Sequence, residues 1–213
     1  MAKVKLAKVR LSMFNDSLYE AREFEKGDGK FRYSSNFLIE KGSANHKAVE
    51  AAIKEAAEDK FGKKAAATVE SLRGNNNKFC YRDGDKTTME DYAGQMLLAA
   101  HRQQKTGAPH VYSHKKHEGK LCNVDQAGNA YQANDNGKLE KVDPDFEVKA
   151  PYSGCYVNAT IEIYAQDGTN SGIRCGLIAV QFHSDGDSFG GVSKGNPDDF
   201  GEIESGADAE DLS

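Results

Sequence analysis

Two adjacent segments near the carboxyl end of this 213-residue chain constrain its fold more than any other part of the sequence. Residues 152–165 and 171–182 alternate apolar and polar side chains with the period of two that is typical of a half-buried strand. Residues 166–170, Gln-Asp-Gly-Thr-Asn, join them as a natural hairpin connection. The two segments therefore predict an antiparallel pair, with Val157, Ile161 and Ile163 on one side.

Three further segments have the pattern of strands, and a fourth is ambiguous. The apolar phase of the first segment changes near Ala7 and Lys8, which predicts a β-bulge or a sharp bend. Residues 94–103 have a composition that favours a helix, but the turn signals on both sides also permit a strand. The three predicted strands cover residues 3–14, 31–39 and 78–82.

Helical character is concentrated between the second and third of these strands. An apolar stripe that includes Val49 and Ile53 predicts a helix from about residue 45 to 61, and a shorter helix follows over 64–72. Together they form a helical insertion near residues 44–73. Residues 106–151 are polar and rich in turn residues, so we expect long loops with one or two short strands. The sum is a mainly β fold with inserted helices, built around a small barrel or sandwich.

The net charge of −5 is unevenly distributed along the chain. Residues 195–213 contain seven acidic residues and no basic one; removing these seven from the 33 acidic residues leaves 26 against 28 basic residues, so residues 1–194 carry +2. This composition predicts one domain over 1–194 and a disordered acidic tail over 195–213. The tail either only improves solubility or competes for a basic groove and binds partner proteins. Its candidate partner-binding residues are Asp198, Asp199, Phe200, Glu202, Ile203, Glu204, Asp208, Glu210 and Asp211.

A cluster of potential zinc ligands forms the main candidate for enzymatic chemistry. His110, His114, His117 and Cys122 lie within reach of one loop, but their spacing matches no paired zinc motif. Lysines lie between them, and cationic neighbours disfavour a divalent cation. We therefore expect a solvated basic loop, no metal and no cofactor; a metal-dependent nuclease or hydrolase that uses this loop is the alternative.

Basic and aromatic residues alternate along several of the predicted strands. Proteins that bind single-stranded nucleic acid combine a positive groove for the phosphates with aromatic faces for the bases. Some of the aromatic residues are expected in the core instead, namely Phe37, Phe182 and either Phe31 or Phe79. The candidate DNA-binding residues are Lys8, Arg10, Phe31, Arg32, Tyr33, Tyr81, Arg82, Arg102, Tyr112, Lys115 and Lys116.

The closing segments also resemble a known family. Residues 152–161, 172–182 and 185–191 resemble bacteriophage single-stranded DNA-binding proteins, a family long catalogued as a domain of unknown function. The resemblance implies an OB-fold-like five-stranded barrel, cooperative coating of single strands and a strand at residues 94–103. It also implies that the acidic tail engages replication proteins such as a polymerase or a helicase. Gly154 and Gly176 are expected to permit the curvature of the barrel.

The sequence thus predicts a non-enzymatic, sequence-nonspecific single-stranded DNA-binding protein for phage replication or recombination. No apolar run approaches the roughly 18 residues of a spanning helix, and the amino terminus has no signal-peptide core, so the host bacterial cytoplasm is the expected location. An RNA-binding or protein-interaction module on the same barrel is a third possibility.

Overall fold

The computed structural model describes residues 1–12, 16–23, 27, 29–143 and 145–189. The predicted acidic tail, residues 195–213, lies outside these residues. No helix in the described ranges is long and apolar enough to cross a membrane. The helices are α1 (Asp16–Tyr19), α2 (Ala44–Phe61) and α3 (Ala65–Arg73). The strands are β1 (Ala2–Leu11), β2 (Arg22–Glu23), β3 (Phe31–Glu40), β4 (Tyr81–Asp83), β5 (Gln95–Gln103), β6 (His110–His117), β7 (Lys120–Val124), β8 (Ala130–Ala133), β9 (Leu139–Lys141), β10 (Tyr156–Gln166) and β11 (Gly172–Ser184).

Five of the strands form a closed ring through their pairing. Strand β1 pairs with β3 and β10, β3 pairs with β5, and β10 pairs with β11, all antiparallel. The ring closes where β11 runs parallel to β5, with Gly176 opposite His101. Strand β5 confirms the strand that the family resemblance implied for residues 94–103. A helix there would have left the ring open.

The core fills the inside of this ring, and α2 packs against it. Alternate residues of each ring strand are buried, among them Leu6, Phe37 and Ile161. Helix α2 contributes Val49 and Ile53 to the same core, as its apolar stripe predicted. The predicted helices over 45–61 and 64–72 are thereby confirmed as α2 and α3, which connect β3 to the segment before β4.

The predicted irregularity in the first strand is confirmed as a bulge between Leu6 and Val9. Lys8 adopts a left-handed backbone with φ 48°. Two asparagine side chains hold this conformation: Asn45 Oδ1 accepts from the Ala7 N–H at 3.0 Å, and Asn158 Oδ1 accepts from the Lys8 N–H at 3.0 Å. Because both ends of the bulge are hydrogen-bonded, its geometry is fixed by the tertiary structure.

The prediction of long loops over residues 106–151 is wrong, because this region forms four strands, β6 to β9. They extend the sheet from β11 as an antiparallel succession of hairpins. They bury few residues: Val111 and Val124 join the main core, and Cys122, Ala130 and Val142 form a small satellite cluster. A strand with so little buried area shows weak apolar alternation, so the polar sequence concealed it.

Candidate nucleic-acid interface

The polar side chains of the ring strands lie together on its outer face. In β3, Phe37 and Ile39 point into the core, so Arg32 and Ser34 point outward. The same alternation in β5 places His101 outside. We use the term outer face for these outward positions of β1, β3, β5, β10 and β11.

Basic and aromatic side chains meet on the outer face where β5 joins β11. We call Arg32, Arg82, His101, Tyr164 and Arg174 the β3–β5–β11 patch. His101 lies opposite Ser34 in β3 and opposite Gly176 in β11, which links the two sides of the patch. Tyr164 and Arg174 form a cross-strand pair in β10 and β11. The patch therefore spans four strands of the ring sheet plus β4.

The pKa of His101 is affected by cations on both neighbouring strands. Burial lowers the pKa of His101 to about 4, and the positive charges of Arg32 and Arg174 act in the same direction. Burial raises the pKa of Tyr164, while the same two guanidinium groups oppose that rise. His101 is therefore neutral at physiological pH, between two charged arginines.

The other polar groups of the patch leave two arginines without an acidic partner. Arg174 donates a hydrogen bond from its guanidinium to the carbonyl of Asn77. The buried Nε of Arg82 has no hydrogen-bond partner. Among the described residues, neither Arg82 nor Arg174 forms an ion pair. Arg82 and Arg174 thus contribute positive charge that no described carboxylate neutralises.

Three more predicted residues lie at the same end of β3 and β5. Phe31, the first residue of β3, is 42% exposed. Tyr33 is opposite Arg102 across the strand pair. The guanidinium of Arg102 donates to the carbonyls of Gly107 at 2.8 Å and Thr106 at 2.9 Å, and it thereby shapes the turn after β5. By the alternation of β3 and β5, these residues point to the opposite side of the sheet from Arg32 and His101.

The remaining exposed candidates lie outside the patch, on β1 and β6. The ammonium of Lys8 lies 5.6 Å from the centroid of the Tyr156 ring. Tyr112 and Lys116 are on β6, and the ammonium of Lys115 donates to the carbonyl of Glu147 at 2.9 Å. The predicted set therefore divides into two groups.

Two predicted DNA-binding residues have structural surroundings instead. Tyr81 is 1% exposed, and its hydroxyl is hydrogen-bonded to His46 Nδ1 at 2.9 Å, so no base can stack on its ring. Arg10 donates to the carbonyls of Gly154 and Asp187, and its guanidinium lies 4.0 Å from the centroid of the Phe189 ring. We therefore remove Tyr81 from the candidate set and treat Arg10 as an anchor for the segment that contains Phe189.

The sequence argument missed Arg174, Tyr164 and His101. Tyr164 and Arg174 lie at the outward positions of the β10–β11 hairpin. The alternation that predicted the hairpin also predicted that their side chains point outward. The hairpin served only to identify the family, and its polar positions were not considered as a site. His101 could not be assigned, because its segment was ambiguous between helix and strand.

The histidines of the proposed metal loop have separate aromatic contacts. His110 stacks on Tyr112, whereas the rings of His114 and His117 contact Phe182 and Phe146 respectively. Cys122 is fully buried in the satellite cluster. No group of three or more potential ligands able to hold a metal ion occurs among the described residues. The geometry therefore gives no support to the metal-dependent alternative.

Comparison with known proteins places this chain in a phage family. A curated relative, putative protein p50 of Acyrthosiphon pisum secondary endosymbiont phage 1, is 33% identical over 212 residues, 99% of this chain and 98% of that protein. The single-stranded DNA-binding protein of bacteriophage Enc34, solved in complex with ssDNA, has the same fold, with a TM-score of 0.54 and 20% identity over 88% of this chain and 89% of that one. A second structure of the bacteriophage Enc34 single-stranded DNA-binding protein gives a TM-score of 0.53 and 18% identity, over 92% of this chain and 88% of that one. A family model described as "Enterobacter phage Enc34, ssDNA-binding protein" matches residues 2–212 and confirms the resemblance predicted from the closing segments. The chain therefore belongs to the family of the Enterobacter phage Enc34 ssDNA-binding protein.

Proposed function

We propose that this protein binds single-stranded DNA without sequence preference and without catalysis, through the β3–β5–β11 patch. The observation that carries the proposal is the position of Arg32 and Arg174 on the two strands that flank His101, with Tyr164 opposite Arg174. Guanidinium groups bind the phosphates of a single strand, and a tyrosine ring offers a stacking surface to any base. Membership of the Enc34 family supports the same ligand.

The pairing order of the ring supports an OB-fold-like barrel. In that fold, the face of the second and third strands and the adjoining loops bind oligonucleotides. Here β3 and β5 are the second and third strands of the ring, and the loop that joins β10 to β11 precedes Arg174. The patch thus coincides with the surface that OB-folds use.

We further propose that the protein coats single strands during phage DNA replication or recombination in the host bacterial cytoplasm. The phage origin of its relatives supports this setting. Replication proteins such as a polymerase or a helicase would then be its partners, and the acidic tail their contact.

Fluorescence anisotropy with a labelled oligo-dT tests the proposed binding directly. We expect saturable binding at low salt that unlabelled single-stranded DNA of unrelated sequence displaces, and that a duplex of equal length displaces poorly. RNA as a second competitor separates a DNA binder from an RNA binder. An absence of binding at low salt would contradict the proposal. Elemental analysis of the same preparation tests the metal-dependent alternative independently.

The acidic tail is proposed to compete with DNA for the patch. Phe189, near the end of the described residues, packs with Leu38 and Leu97 on the outer face, so the chain continues toward the tail from the face that carries the patch. Because the seven carboxylates of the tail are tethered to this face, their effective concentration near the patch is high. Deletion of residues 195–213 should tighten oligonucleotide binding, and it should weaken the salt dependence less than removal of two patch arginines does. Unchanged affinity after the deletion would refute the competition.

A further inference from the structure

A groove crosses the outer face on the side of the ring away from β3. It runs between β1 and the β6–β7 hairpin, and strands β10 and β11 form its floor. We call it the β1–β6 groove. Its lining includes Lys5, Ala7, Tyr112, Leu121, Asn158 and Gln181.

The floor of the groove is held rigid by a chain of side-chain hydrogen bonds. Asn158 accepts from the Lys8 N–H at 3.0 Å and donates to Gln181 at 3.3 Å. Gln181 in turn donates to the carbonyl of Ser113 at 3.3 Å. The groove between β1 and β6 is therefore preformed.

Lysines stand on both walls of the groove. Lys5 lines the groove on β1, Lys8 is exposed beside Ala7 of the lining, and Lys116 is exposed on β6 opposite Leu121 of the lining. Among the described residues none of these three lysines forms an ion pair. On β10, which forms part of the floor, Glu162 is the acidic residue nearest to the groove. It lies two residues beyond Thr160 and opposite Lys3 of β1. The walls thus carry a net positive charge, which suits a polyanion.

Aromatic rings stand beside these lysines. The rings of Tyr112 and His110 are stacked, with centroids 5.7 Å apart and planes inclined by 9°. The Tyr156 ring lies under the ammonium of Lys8. Cations next to partly exposed rings match the phosphates and bases of a single strand better than they match an acidic peptide, which needs no stacking surface.

The groove lies close to the β3–β5–β11 patch. On β11, Gly176 lies opposite His101 of the patch, and Ala179, which lines the groove, lies opposite His110. At about 3.3 Å per residue this separation is roughly 10 Å, which a nucleic-acid chain crosses within a few nucleotides. One strand can therefore contact both sites.

We propose that the β1–β6 groove is a second contact tract for the same single-stranded DNA and binds the nucleotides that extend beyond the patch. This inference rests on the proposed function. It gives a role to the predicted residues Lys8, Tyr112 and Lys116, which lie outside the patch.

The test compares a double variant, Lys5→Gln/Lys8→Asn, with the wild-type protein on two lengths of oligo-dT. Asparagine is chosen for residue 8 because it tolerates the left-handed backbone. We use oligonucleotides of about 4 and about 16 nucleotides, the two ends of the range for one OB-fold. The control variant Lys54→Gln/Lys63→Gln removes the same charge from exposed positions in and directly after α2.

With the long oligonucleotide, the double variant should bind at least about tenfold more weakly at low salt, and its salt slope should be shallower by about 1.4, which corresponds to two phosphates. Its affinity for the short oligonucleotide should stay within about twofold of the wild type. The single variant Lys5→Gln leaves the bulge intact and should lose about half of the slope. The proposal would be overturned if the double variant lost no more affinity than the control variant, or if it lost the same affinity for the short and the long oligonucleotide. Failure of the wild type to bind either length would instead refute the proposed function.

Discussion

At the scale of single residues, His101 best distinguishes this surface from an ordinary polar patch. It is largely buried between two arginines, and its pKa is lowered to about 4 from the ordinary 6.5. Between these two values the unfolded chain binds a proton that the folded chain does not bind. The free energy of unfolding should therefore fall as the pH decreases from about 6.5 to about 4.

Urea denaturation at several pH values tests this expectation. The free energy of unfolding of His101→Gln should depend less steeply on pH than that of the wild type. The difference in slope should be at most about 1.4 kcal/mol per pH unit, the limit for one proton. Because the carboxylates are common to both proteins, the difference isolates His101. Identical pH dependence in the two proteins would show that His101 titrates normally.

Residue identity alone could not tell stacking aromatics from core aromatics. Phe37, Phe182 and Phe79 are buried as expected, and Phe31 is the partly exposed one. Tyr81 is also buried, because the short strand β4 turns it toward the core beside α2. That orientation depends on contacts between distant segments, which alternation within three residues cannot specify.

At the scale of elements, the segment after β11 depends on one glycine. Gly154 has φ 92°, and a Cβ atom there would lie 1.9 Å from the carbonyl oxygen of Asp187. The glycine expected to permit curvature therefore permits a close approach of two backbones. At Gly176 a Cβ atom would have ordinary contacts of 3.6 Å or more, so space does not require glycine there.

Substitution of Gly154 should be costly for this reason. Gly154→Ala combines an unfavourable backbone angle with a clash, so we expect the free energy of unfolding to fall by about 2–4 kcal/mol. Gly74→Ala is the matched control, because nothing lies within 4 Å of a Cβ atom there and its φ is −80°. Urea denaturation measures both, and equal stability of the two variants would contradict the close approach.

The elements that the sequence predicted well are those with a strong one-sided pattern. Strands β10 and β11 bury alternate residues completely, and α2 buries a regular stripe. Strands β7 to β9 have three to five residues each, and β9 is exposed throughout. Their existence depends on pairing with the edge of β11 through β6, which is a property of the tertiary structure.

At the scale of the whole molecule, the net charge of −5 conceals a positive outer face. Residues 1–194 carry only +2, so the case for a nucleic-acid ligand depends on where the cations lie. The described structure pairs Lys41, Lys149 and Arg73 with carboxylates, whereas Arg82 and Arg174 form no ion pair among the described residues. The sequence made Arg32 and Arg82 candidates because they lie beside aromatic residues, but the register of β5 with β11 was needed to add Arg174.

The measurement that tests the central claim most directly is the salt dependence of oligo-dT affinity for the wild type and for Arg32→Gln/Arg174→Gln. Each phosphate contact with a single strand contributes about 0.7 to the slope of log affinity against log salt concentration. The wild type should give a steep negative slope, and the variant a slope shallower by about 1.4, whereas Lys54→Gln/Lys63→Gln should keep the wild-type slope. A wild-type slope retained in the Arg32 and Arg174 variant would show that the patch does not contact the phosphates.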